Sequence, residues 1–219
     1  MLKVNPRNFD TDTELIEAYK NILTPSLGHF LDGGMDPAIK ALWKPVKLVG
    51  PALTVETTPN SSAALGKAVE IAEPGDVIVM SRGGENLHAT TGDFAVMNFQ
   101  EHGIAGMITD GLVTDQRAIE GLQFPVFSRG VSAIIAKRLG PDEGAVNVTV
   151  EVGGIQINPG DLIVADEDGV IVTTFEDARA QLGACLELEE WEAYALGQLK
   201  AGRLLSEVAK ERQTFREGK

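Results

Sequence analysis

TGDFAVMNFQEHGIAGMITDGLVTD, residues 91–115, reads in order as a helix, a tight turn, a buried strand and a loop. Apolar side chains between Phe94 and Phe99 give the helix one buried face, and His102 and Gly103 end it. Residues 104–109 form a short apolar run, which is typical of a buried strand. The stretch therefore predicts a helix and strand unit of an α/β fold.

One carboxylate stands near each end of this stretch. Asp93 begins the helix, and Asp115 follows the strand and its loop. If the strand lies back along the helix, Asp115 returns to the helix start and joins Asp93. Free backbone N–H groups and carboxylate oxygens then meet in one pocket, which suits a magnesium ion and an anion. An aspartate at a helix start is also a common cap, and both acids share that simpler interpretation.

Length and composition bound the kind of protein. A chain of 219 residues with 43% hydrophobic residues can bury a real core, and we expect a single domain over residues 1–219. The net charge of −13 argues against nucleic-acid binding, which needs clustered Lys and Arg. Cys185 is the single cysteine, so no internal disulfide is expected, and neither a secretion signal nor a membrane span is visible. These features favour a cytoplasmic protein with neither a nucleic-acid nor a membrane partner.

Strand and helix patterns alternate through the first half of the chain. Thr13 is the expected cap of the first helix, and Pro25 is expected to end it. The predicted elements are a helix at 13–23, a strand at 46–55, a helix at 61–72, a strand at 77–80, a helix at 116–121 and a strand at 126–127.

Closely spaced short strands are predicted over residues 145–174. The strongest signal is a pair of apolar strands joined by the acidic turn 166–169. A solvated hairpin turn is favoured there over a calcium site, because the turn lacks the loop of about twelve residues and the closing Glu. The Pro-Gly-Asp turn at 159–161 repeats the one at 74–76, which duplication and shared turn chemistry explain equally well.

The chain from residue 175 to about residue 216 is helical and charged in composition. Leucines that could pack against the body or against a neighbouring subunit are Leu182, Leu186, Leu196, Leu199 and Leu204.

Four short motifs follow one another along the chain: GDFA at 92–95, DGLVTD at 110–115, FPVF at 124–127 and PGDLIVADEDGV at 159–170. In these motifs and their order the chain resembles the RraA-like family. That family holds divalent-metal aldolases that cleave 4-hydroxy-4-methyl-2-oxoglutarate, 4-carboxy-4-hydroxy-2-oxoadipate and related compounds to pyruvate. It also holds regulators of ribonuclease E activity. The likeness runs from about residue 24 to residue 202.

The resemblance implies a fold and an assembly. The fold is the α/β/β/α swivelling domain, related to phosphohistidine domains, with a C-terminal helical tail from about residue 175. The implied assembly is a homotrimer or a dimer of trimers with active sites between subunits, and the tail contacts a neighbouring subunit.

The resemblance also assigns roles to site residues. The closing aspartate of the family motif Asp-Gly-x-x-Arg-Asp is the direct protein ligand of Mg²⁺ or Mn²⁺, and Asp115 occupies its place. Substrate binds through the carboxylate and backbone amides of the Gly-Asp-x-x element, here Gly92, Asp93, Phe94 and Ala95. Asp93 is expected to orient a water that carries the proton.

A glutamate from the C-terminal helix of a neighbouring subunit completes the site in some family members. Spacing to the helix end near residue 202 favours Glu192 for this role, and Glu189 and Glu190 are the alternatives.

Thr114 is a departure from the family pattern, because the aldolases carry Arg at that position. That Arg is thought to hold the α-keto acid and to neutralise the pyruvate enolate, and a threonine hydroxyl offers neither the fork geometry nor the charge. Arg117 could reach the pocket from the next helix. Arg82 and His88, on the preceding loop, are further candidates for the missing cation.

Three functions remain open at this point. The first is a metal-dependent lyase of the pyruvate aldolase type that acts on a 2-oxo acid, with oxaloacetate decarboxylation as a side activity because both pass through the pyruvate enolate. The second is a non-catalytic regulator of the ribonuclease E type, whose pocket has decayed at Thr114. The third keeps the metal but performs another reaction on a sugar-acid or keto-acid catabolite.

Overall fold

A mixed α/β architecture with a long C-terminal helix is seen in a computed structural model, which describes residues 1–59, 61–137 and 141–217. In chain order the strands are β1 (Leu2–Val4), β2 (Lys40–Ala41), β3 (Lys47–Glu56), β4 (Val77–Ser81), β5 (Ala89–Thr91), β6 (Gly106–Thr109), β7 (Leu112–Val113), β8 (Val126–Ser128), β9 (Gly144–Val146), β10 (Val150–Val152), β11 (Ile155–Ile157), β12 (Leu162–Asp166) and β13 (Gly169–Thr173). The helices are α1 (Thr13–Tyr19), α2 (Thr24–Gly28), α3 (Ala63–Ile71), α4 (Asp93–Glu101), α5 (Gln116–Leu122), α6 (Phe175–Lys200), α7 (Leu205–Val208) and α8 (Arg212–Glu217), with a 3₁₀ turn at Ala209–Glu211.

Strand β3 pairs with different partners along its length. Residues 47–51 pair antiparallel with β12, whereas residues from 52 onward pair parallel with β4. The change of partner falls at Gly50 and Pro51. A side chain at Gly50 would lie 2.3 Å from the carbonyl oxygen of Gly75, so only glycine fits this approach of two backbones. Pro51 has no N–H to donate, which is tolerated where a strand leaves one partner for another.

The layers follow from this shared strand. Strands β4, β6 and β8 continue the main sheet in parallel from β3. Helices α3, α4 and α5 cover one face of that sheet around Phe99, and the opposite face packs on β12 and β13 through Val79 and Ile163. The outer side of β12 and β13 packs on α1, α2 and α6, where Tyr19 is fully buried. The order of layers is therefore α/β/β/α, as the resemblance implies.

The C-terminal tail is helical, as predicted, but only part of it packs on the body. The first half of α6 lies on α1 and α2. Its second half contributes Trp191 and Tyr194 to a separate aromatic cluster, which Phe215 of α8 completes. Three of the leucines expected to pack are exposed instead, namely Leu186, Leu196 and Leu204. No helix within the described residues is both long enough and apolar enough to cross a membrane.

The first helix differs from its sequence prediction at both ends. Asp12, and not Thr13, caps it, because the Asp12 carboxylate accepts a hydrogen bond of 3.0 Å from the N–H of Leu15. The helix ends at Tyr19. Pro25 lies in the first turn of a second helix, α2, where its missing N–H leaves no bond unmade.

The two Pro-Gly-Asp turns share one hydrogen-bond pattern. The carboxylate of Asp76 accepts the N–H of Glu73 at 2.9 Å, and that of Asp161 accepts the N–H of Asn158 at 2.8 Å. The glycine before each aspartate has a positive φ, 96° and 87°. The strands that follow run in opposite directions beside β3, so shared turn chemistry accounts for the repeat better than duplication does.

The N-terminal segment before α1 contacts both Pro-Gly-Asp turns. The guanidinium of Arg7 donates to both carboxylate oxygens of the fully buried Asp76, at 2.9 to 3.2 Å. The Phe9 ring centroid lies 4.1 Å from the same guanidinium. The Phe9 side chain also covers Gly160 of the second turn, where an added Cβ would meet Phe9 at 2.6 Å. The N-terminal segment therefore clamps two turns that feed different sheets.

Arg7→Met should lower the free energy of unfolding by about 3–5 kcal/mol, because it leaves the buried Asp76 carboxylate without its cation. Urea unfolding at neutral pH measures the change. The matched control is Lys67→Met, which removes an exposed pair with Glu70 and should shift stability by less than about 1 kcal/mol. Equal effects of the two substitutions would contradict the clamp.

Candidate functional site

The two predicted acids lie near the edge where the parallel strands of the main sheet end. Strand β4 runs into Arg82 there, and β6 runs into Asp110. Beside them β5 and β7 form a small parallel pair, and these two strands lead almost directly into α4 and α5. Ligands of open α/β sheets bind outside the carboxyl ends of the strands, so this edge is the expected place for a site.

Asp115 returns to the start of α4, as the sequence predicts. Its Oδ2 lies 3.4 Å from the backbone nitrogen of Asp93. An added Cβ on Gly92 would lie 2.3 Å from that Oδ2 and 2.8 Å from Cγ2 of Thr114. The backbone of Gly92 is extended, with φ of −135°, so the glycine is required by the close approach of the neighbouring chain.

Asp115 itself has an uncommon backbone conformation. It precedes α5 in the left-handed region, with φ of 57° and ψ of 34°, and its side chain caps nothing in that helix. Aspartate tolerates this region better than most residues, at a cost of about 1 kcal/mol or more. The strained backbone directs the carboxylate to the α4 terminus, where an exposed acid is available to a ligand.

The first turn of α4 contributes donors as well. The N–H of Phe94 donates to Oδ1 of Asp93 at 2.8 Å, and in the part of the chain that the structure describes the N–H of Ala95 has no acceptor. Oδ2 of Asp93 likewise receives no hydrogen bond from a described residue. The helix start therefore presents one free amide and one free carboxylate oxygen beside Asp115. The Phe94 ring is 85% exposed next to them.

Arg82 does not supply the cation that Thr114 lacks. Its side chain is fully buried, and its guanidinium donates to Oγ1 of Thr57, to the carbonyl of Thr58 and to Glu85. The Glu85 carboxylate also accepts the N–H groups of Leu87 and His88 and contacts the His88 ring at 3.0 Å.

Hydrogen bonding fixes the charge of Glu85. Burial opposes ionisation, but the hydrogen bonds from the His88 ring, from two backbone N–H groups and from Arg82 outweigh it and lower the pKa of Glu85 to about 2. The ionised Glu85 therefore pairs with Arg82 and holds Nδ1 of His88. The expectation that Arg82 faces the Asp115 pocket was wrong, because a closer carboxylate engages it.

Asp110, the first residue of the DGLVTD motif, shapes the loop. Its carboxylate accepts the N–H of Arg82 at 2.6 Å, which joins the ends of β4 and β6. Burial raises the pKa of Asp110, and the hydrogen bond from Arg82 opposes that rise. The following Gly111 packs on the Arg82 side chain, since an added Cβ would lie 2.5 Å from its Cγ.

The remaining predicted site residues are distributed differently. Arg117, in the first turn of α5, is exposed and pairs with no acid among the described residues. Glu189 is engaged within its own chain, because it accepts hydrogen bonds from the N–H of Leu23 and the hydroxyl of Ser26. Glu192 is exposed on the outer side of α6. The exposed position of Glu192 therefore suits contact with another subunit better than the position of Glu189 does.

The donor set at the helix start fits a hard divalent cation. Carboxylate oxygens are the ligands that Mg²⁺ prefers, and the absence of a side chain at Gly92 lets the Asp115 carboxylate approach the helix start. No group of three or more His, Cys, Asp or Glu within residues 1–59, 61–137 and 141–217 could hold a metal. Asp115 would therefore hold the cation with few protein ligands, and water or substrate would complete the coordination.

The acidic turn after β12 is solvated at Glu167 and Asp168, as expected, but not at Asp166. Asp166 is only 3% exposed, and its carboxylate accepts the N–H and the hydroxyl of Thr24 and the N–H of Asp168. Lys47 lies 3.6 Å from it. Asp166 thus caps α2, and this use of its oxygens explains the turn without a metal.

Sequence reasoning missed Thr57, Glu85 and Thr90. Thr57 contacts Arg82 from a distant part of the chain, which no local spacing reveals. Glu85 follows Arg82 by three residues, so its contact with Arg82 is local and could have been considered. Thr90 could have been noticed, because it lies only two residues before Gly92.

Comparison with known proteins gives consistent matches. The profile of the RraA-like family, described as Aldolase/RraA, matches residues 14–172. A protein of Halalkalibacterium halodurans named "Putative 4-hydroxy-4-methyl-2-oxoglutarate aldolase" is 39% identical over 163 residues, which are 74% of this chain and 77% of that protein.

Two solved structures resemble the fold closely. An uncharacterized protein from Pseudomonas syringae pv. tomato has a TM-score of 0.80 at 26% identity and covers 92% of this chain and 99% of its own. RraAS2 of Streptomyces coelicolor, described as an unusual member of the RNase ES inhibitor RraA protein family, has a TM-score of 0.75 at 26% identity over 86% of this chain and all of its own.

Gly92→Ala should lower the free energy of unfolding by about 1–3 kcal/mol, since the new methyl group must displace Asp115 or Thr114. Gly121→Ala is the matched control. It lies in α5 with no atom within 4 Å of an added Cβ, so it should stabilise the protein by about 0.5–1 kcal/mol. Urea unfolding of both variants tests the packing, and a neutral Gly92→Ala would show that Asp115 is not held against the helix start.

Proposed function

The chain belongs to the RraA-like family, and from that premise we propose that it is a lyase of the pyruvate aldolase type that requires Mg²⁺ or Mn²⁺. The observation that carries the proposal is the 3.4 Å approach of Asp115 to the first backbone N–H of α4, with no side chain at Gly92 between them. Relatives named as 4-hydroxy-4-methyl-2-oxoglutarate aldolases support the reaction class.

Binding of a 2-oxo acid follows from the groups at this edge. Asp115 would hold the cation, and the free N–H of Ala95 would donate to the carboxylate of the substrate. When bound, the cation supplies Lewis-acid stabilisation of the negative charge that develops on the 2-oxo group. The absence of a side chain at Gly92 lets the Asp115 carboxylate approach the helix start.

The lyase step breaks the C3–C4 bond of a 4-hydroxy-2-oxo acid. The proton of the C4 hydroxyl leaves, C4 becomes a carbonyl carbon, and the bonding electron pair passes to C3, which then takes a proton to give pyruvate. Oδ2 of Asp93 is the free oxygen that would hold a water for these proton transfers, while Oδ1 is fixed by the N–H of Phe94. Oxaloacetate decarboxylation forms the same enolate, so we include it as a side activity.

Thr114 argues for a substrate that differs from those of the arginine-bearing aldolases. Its hydroxyl lies 3.4 Å from Oδ1 of Asp115 and brings no charge to the pocket. We retain Arg117 as the cation that could act in its place, because it is exposed in the first turn of α5 and pairs with no described acid.

Assembly as a trimer or a dimer of trimers would complete the site. Apolar side chains on and beside α4 are exposed, with Phe94 at 85% and Met97 at 51%, and such side chains beside a polar pocket are typical of an interface. Glu192 of the C-terminal helix is the acid proposed to reach a neighbour's pocket.

A regulator of the ribonuclease E type is the second candidate. Thr114 favours it, because it removes a charged group that the aldolases use, and the structural neighbour RraAS2 is described as an unusual member of the RNase ES inhibitor RraA protein family. A regulator would inhibit a purified ribonuclease of that class and would bind no Mn²⁺.

Asp115→Asn should reduce magnesium-dependent pyruvate release from oxaloacetate by about 100-fold or more, since it removes the proposed charged ligand. Asparagine accepts the left-handed backbone, so the fold is retained. A lactate dehydrogenase assay measures pyruvate, and electron paramagnetic resonance measures Mn²⁺ binding. Asp10→Asn, an exposed acid on the N-terminal segment, is the control. Unchanged turnover and Mn²⁺ affinity in Asp115→Asn would remove the metal role.

Thr114→Arg should raise kcat/KM for 4-hydroxy-4-methyl-2-oxoglutarate by about 100-fold, because it restores a forked cation beside the developing enolate. Thr114→Met has similar length without charge and should give no increase. A steady-state pyruvate assay compares the two, and equal activities would show that charge at position 114 does not limit this reaction.

A further inference from the structure

A small cavity lined by hydroxyl groups lies beside the proposed site. Ser61 and Ser62, just before α3, form one wall with Thr90 of β5. Ala89, Ile135 and Ala136 complete the lining, and Ala89 and Ile135 pair as backbone neighbours. The space accommodates about one water-sized group.

Hydrogen bonding inside the cavity is incomplete. Oγ1 of Thr90 is buried and has no hydrogen-bond partner among the described residues. Oγ of Ser61 accepts the N–H groups of Ala63 and Glu143, so its own proton has no acceptor among the described residues. The Ser62 side chain makes no capping hydrogen bond to α3. Buried polar groups normally find partners, so this set of hydroxyls points to a ligand that both donates and accepts.

The cavity is close to the proposed metal site. Thr90 and Gly92 are two residues apart along the chain, so their Cα atoms lie no more than about 7 Å apart. Oδ2 of Asp115 lies where a Gly92 side chain would begin. A ligand segment of three or four carbon atoms would therefore extend from the proposed metal site to the cavity.

The described residues that line the cavity include no positively charged side chain. Arg82 is paired with Glu85, Lys67 is paired with Glu70, and no Lys or Arg belongs to the described lining. Carboxylates are usually bound by Arg or Lys, and the net charge of −13 further disfavours a substrate with several negative charges. Hydroxyl groups recognise a neutral hydroxyl better than an unneutralised carboxylate.

We propose that this cavity binds a hydroxyl group on the uncharged tail of the substrate, which makes the substrate a 4-hydroxy-2-oxo acid of the sugar-acid class. The inference rests on the proposed lyase function and deepens it. Cleavage between C3 and C4 then gives pyruvate and a hydroxyaldehyde: the C4 hydroxyl loses its proton, C4 becomes the aldehyde, and C3 gains a proton. The tail hydroxyl takes no part in the bond changes and only fixes the position of C4.

Steady-state assays with three substrates test this inference. Pyruvate release is measured from 4,5,6-trihydroxy-2-oxohexanoate, which has a neutral hydroxylated tail, from 4-hydroxy-4-methyl-2-oxoglutarate, whose tail is a carboxylate, and from oxaloacetate. We expect kcat/KM at least about tenfold higher for the trihydroxy acid than for the dicarboxylic aldol, since one bound hydroxyl contributes about that factor.

Thr90→Val is the decisive variant, because it keeps the shape of the side chain and removes the unpartnered hydroxyl. It should raise KM for the trihydroxy acid about tenfold, change KM for oxaloacetate much less, and leave the melting temperature equal or higher. Thr149→Val is the control, since this exposed threonine belongs to a distant hairpin loop and contacts Asn158. Ser62→Ala provides a second test of the same cavity.

The outcomes separate the two levels of the proposal. The hydroxyl subsite is overturned, and the lyase retained, if the protein decarboxylates oxaloacetate but prefers the dicarboxylic aldol to the trihydroxy acid. The same conclusion holds if oxaloacetate is decarboxylated and the KM for the trihydroxy acid is unchanged in both Thr90→Val and Ser62→Ala. Absence of pyruvate from all three substrates in excess Mn²⁺ rejects the lyase and the subsite together.

Discussion

The fold depends on one strand, β3, that pairs with different partners along its length. Its first half joins β12 and its second half joins β4, and the exchange at Gly50 and Pro51 ties the two sheets together. Because the strand alternates, Leu48 faces the space between the sheets and Val49 faces α1, α2 and α6. The second half aligns β4, β6 and β8 in parallel, so their carboxyl ends meet at one edge. The candidate site occupies that edge.

Local periodicity predicted the elements that carry the site. Residues 91–115 form a helix, a buried strand and a loop, and the return of Asp115 to Asp93 follows from that order. The contacts around Arg82 could not be predicted in this way, because Thr57 lies 25 residues away on the neighbouring strand. Spacing along one chain shows which face a residue shares, but it does not show which strand ends become neighbours.

The roles of two acidic residues were also not predictable from the local sequence. The turn after β12 has the composition of a solvated hairpin, yet Asp166 is buried and caps α2. Asp115 looks like an ordinary cap of α5 in sequence, yet it makes no capping bond in that helix and is held in a left-handed conformation. The sequence thus predicts a solvated turn residue at Asp166 and a cap of the following helix at Asp115, and neither acid has its expected role. Their burial and partners distinguish them, and these are set by elements distant in the sequence.

Charge balance links the departure at Thr114 to the proposed subsite. The nearest buried guanidinium, that of Arg82, is neutralised by Glu85, whose pKa is about 2 and which therefore stays ionised throughout the physiological range. Asp93 and Asp115 then make the pocket negative, and a bound divalent cation would balance little more than these two acids. The described lining of the proposed subsite offers no Lys or Arg to a second carboxylate, whereas a hydroxylated tail requires no counter-charge. The loss of arginine at position 114 and the unpaired hydroxyl of Thr90 are thus consistent with one substrate preference.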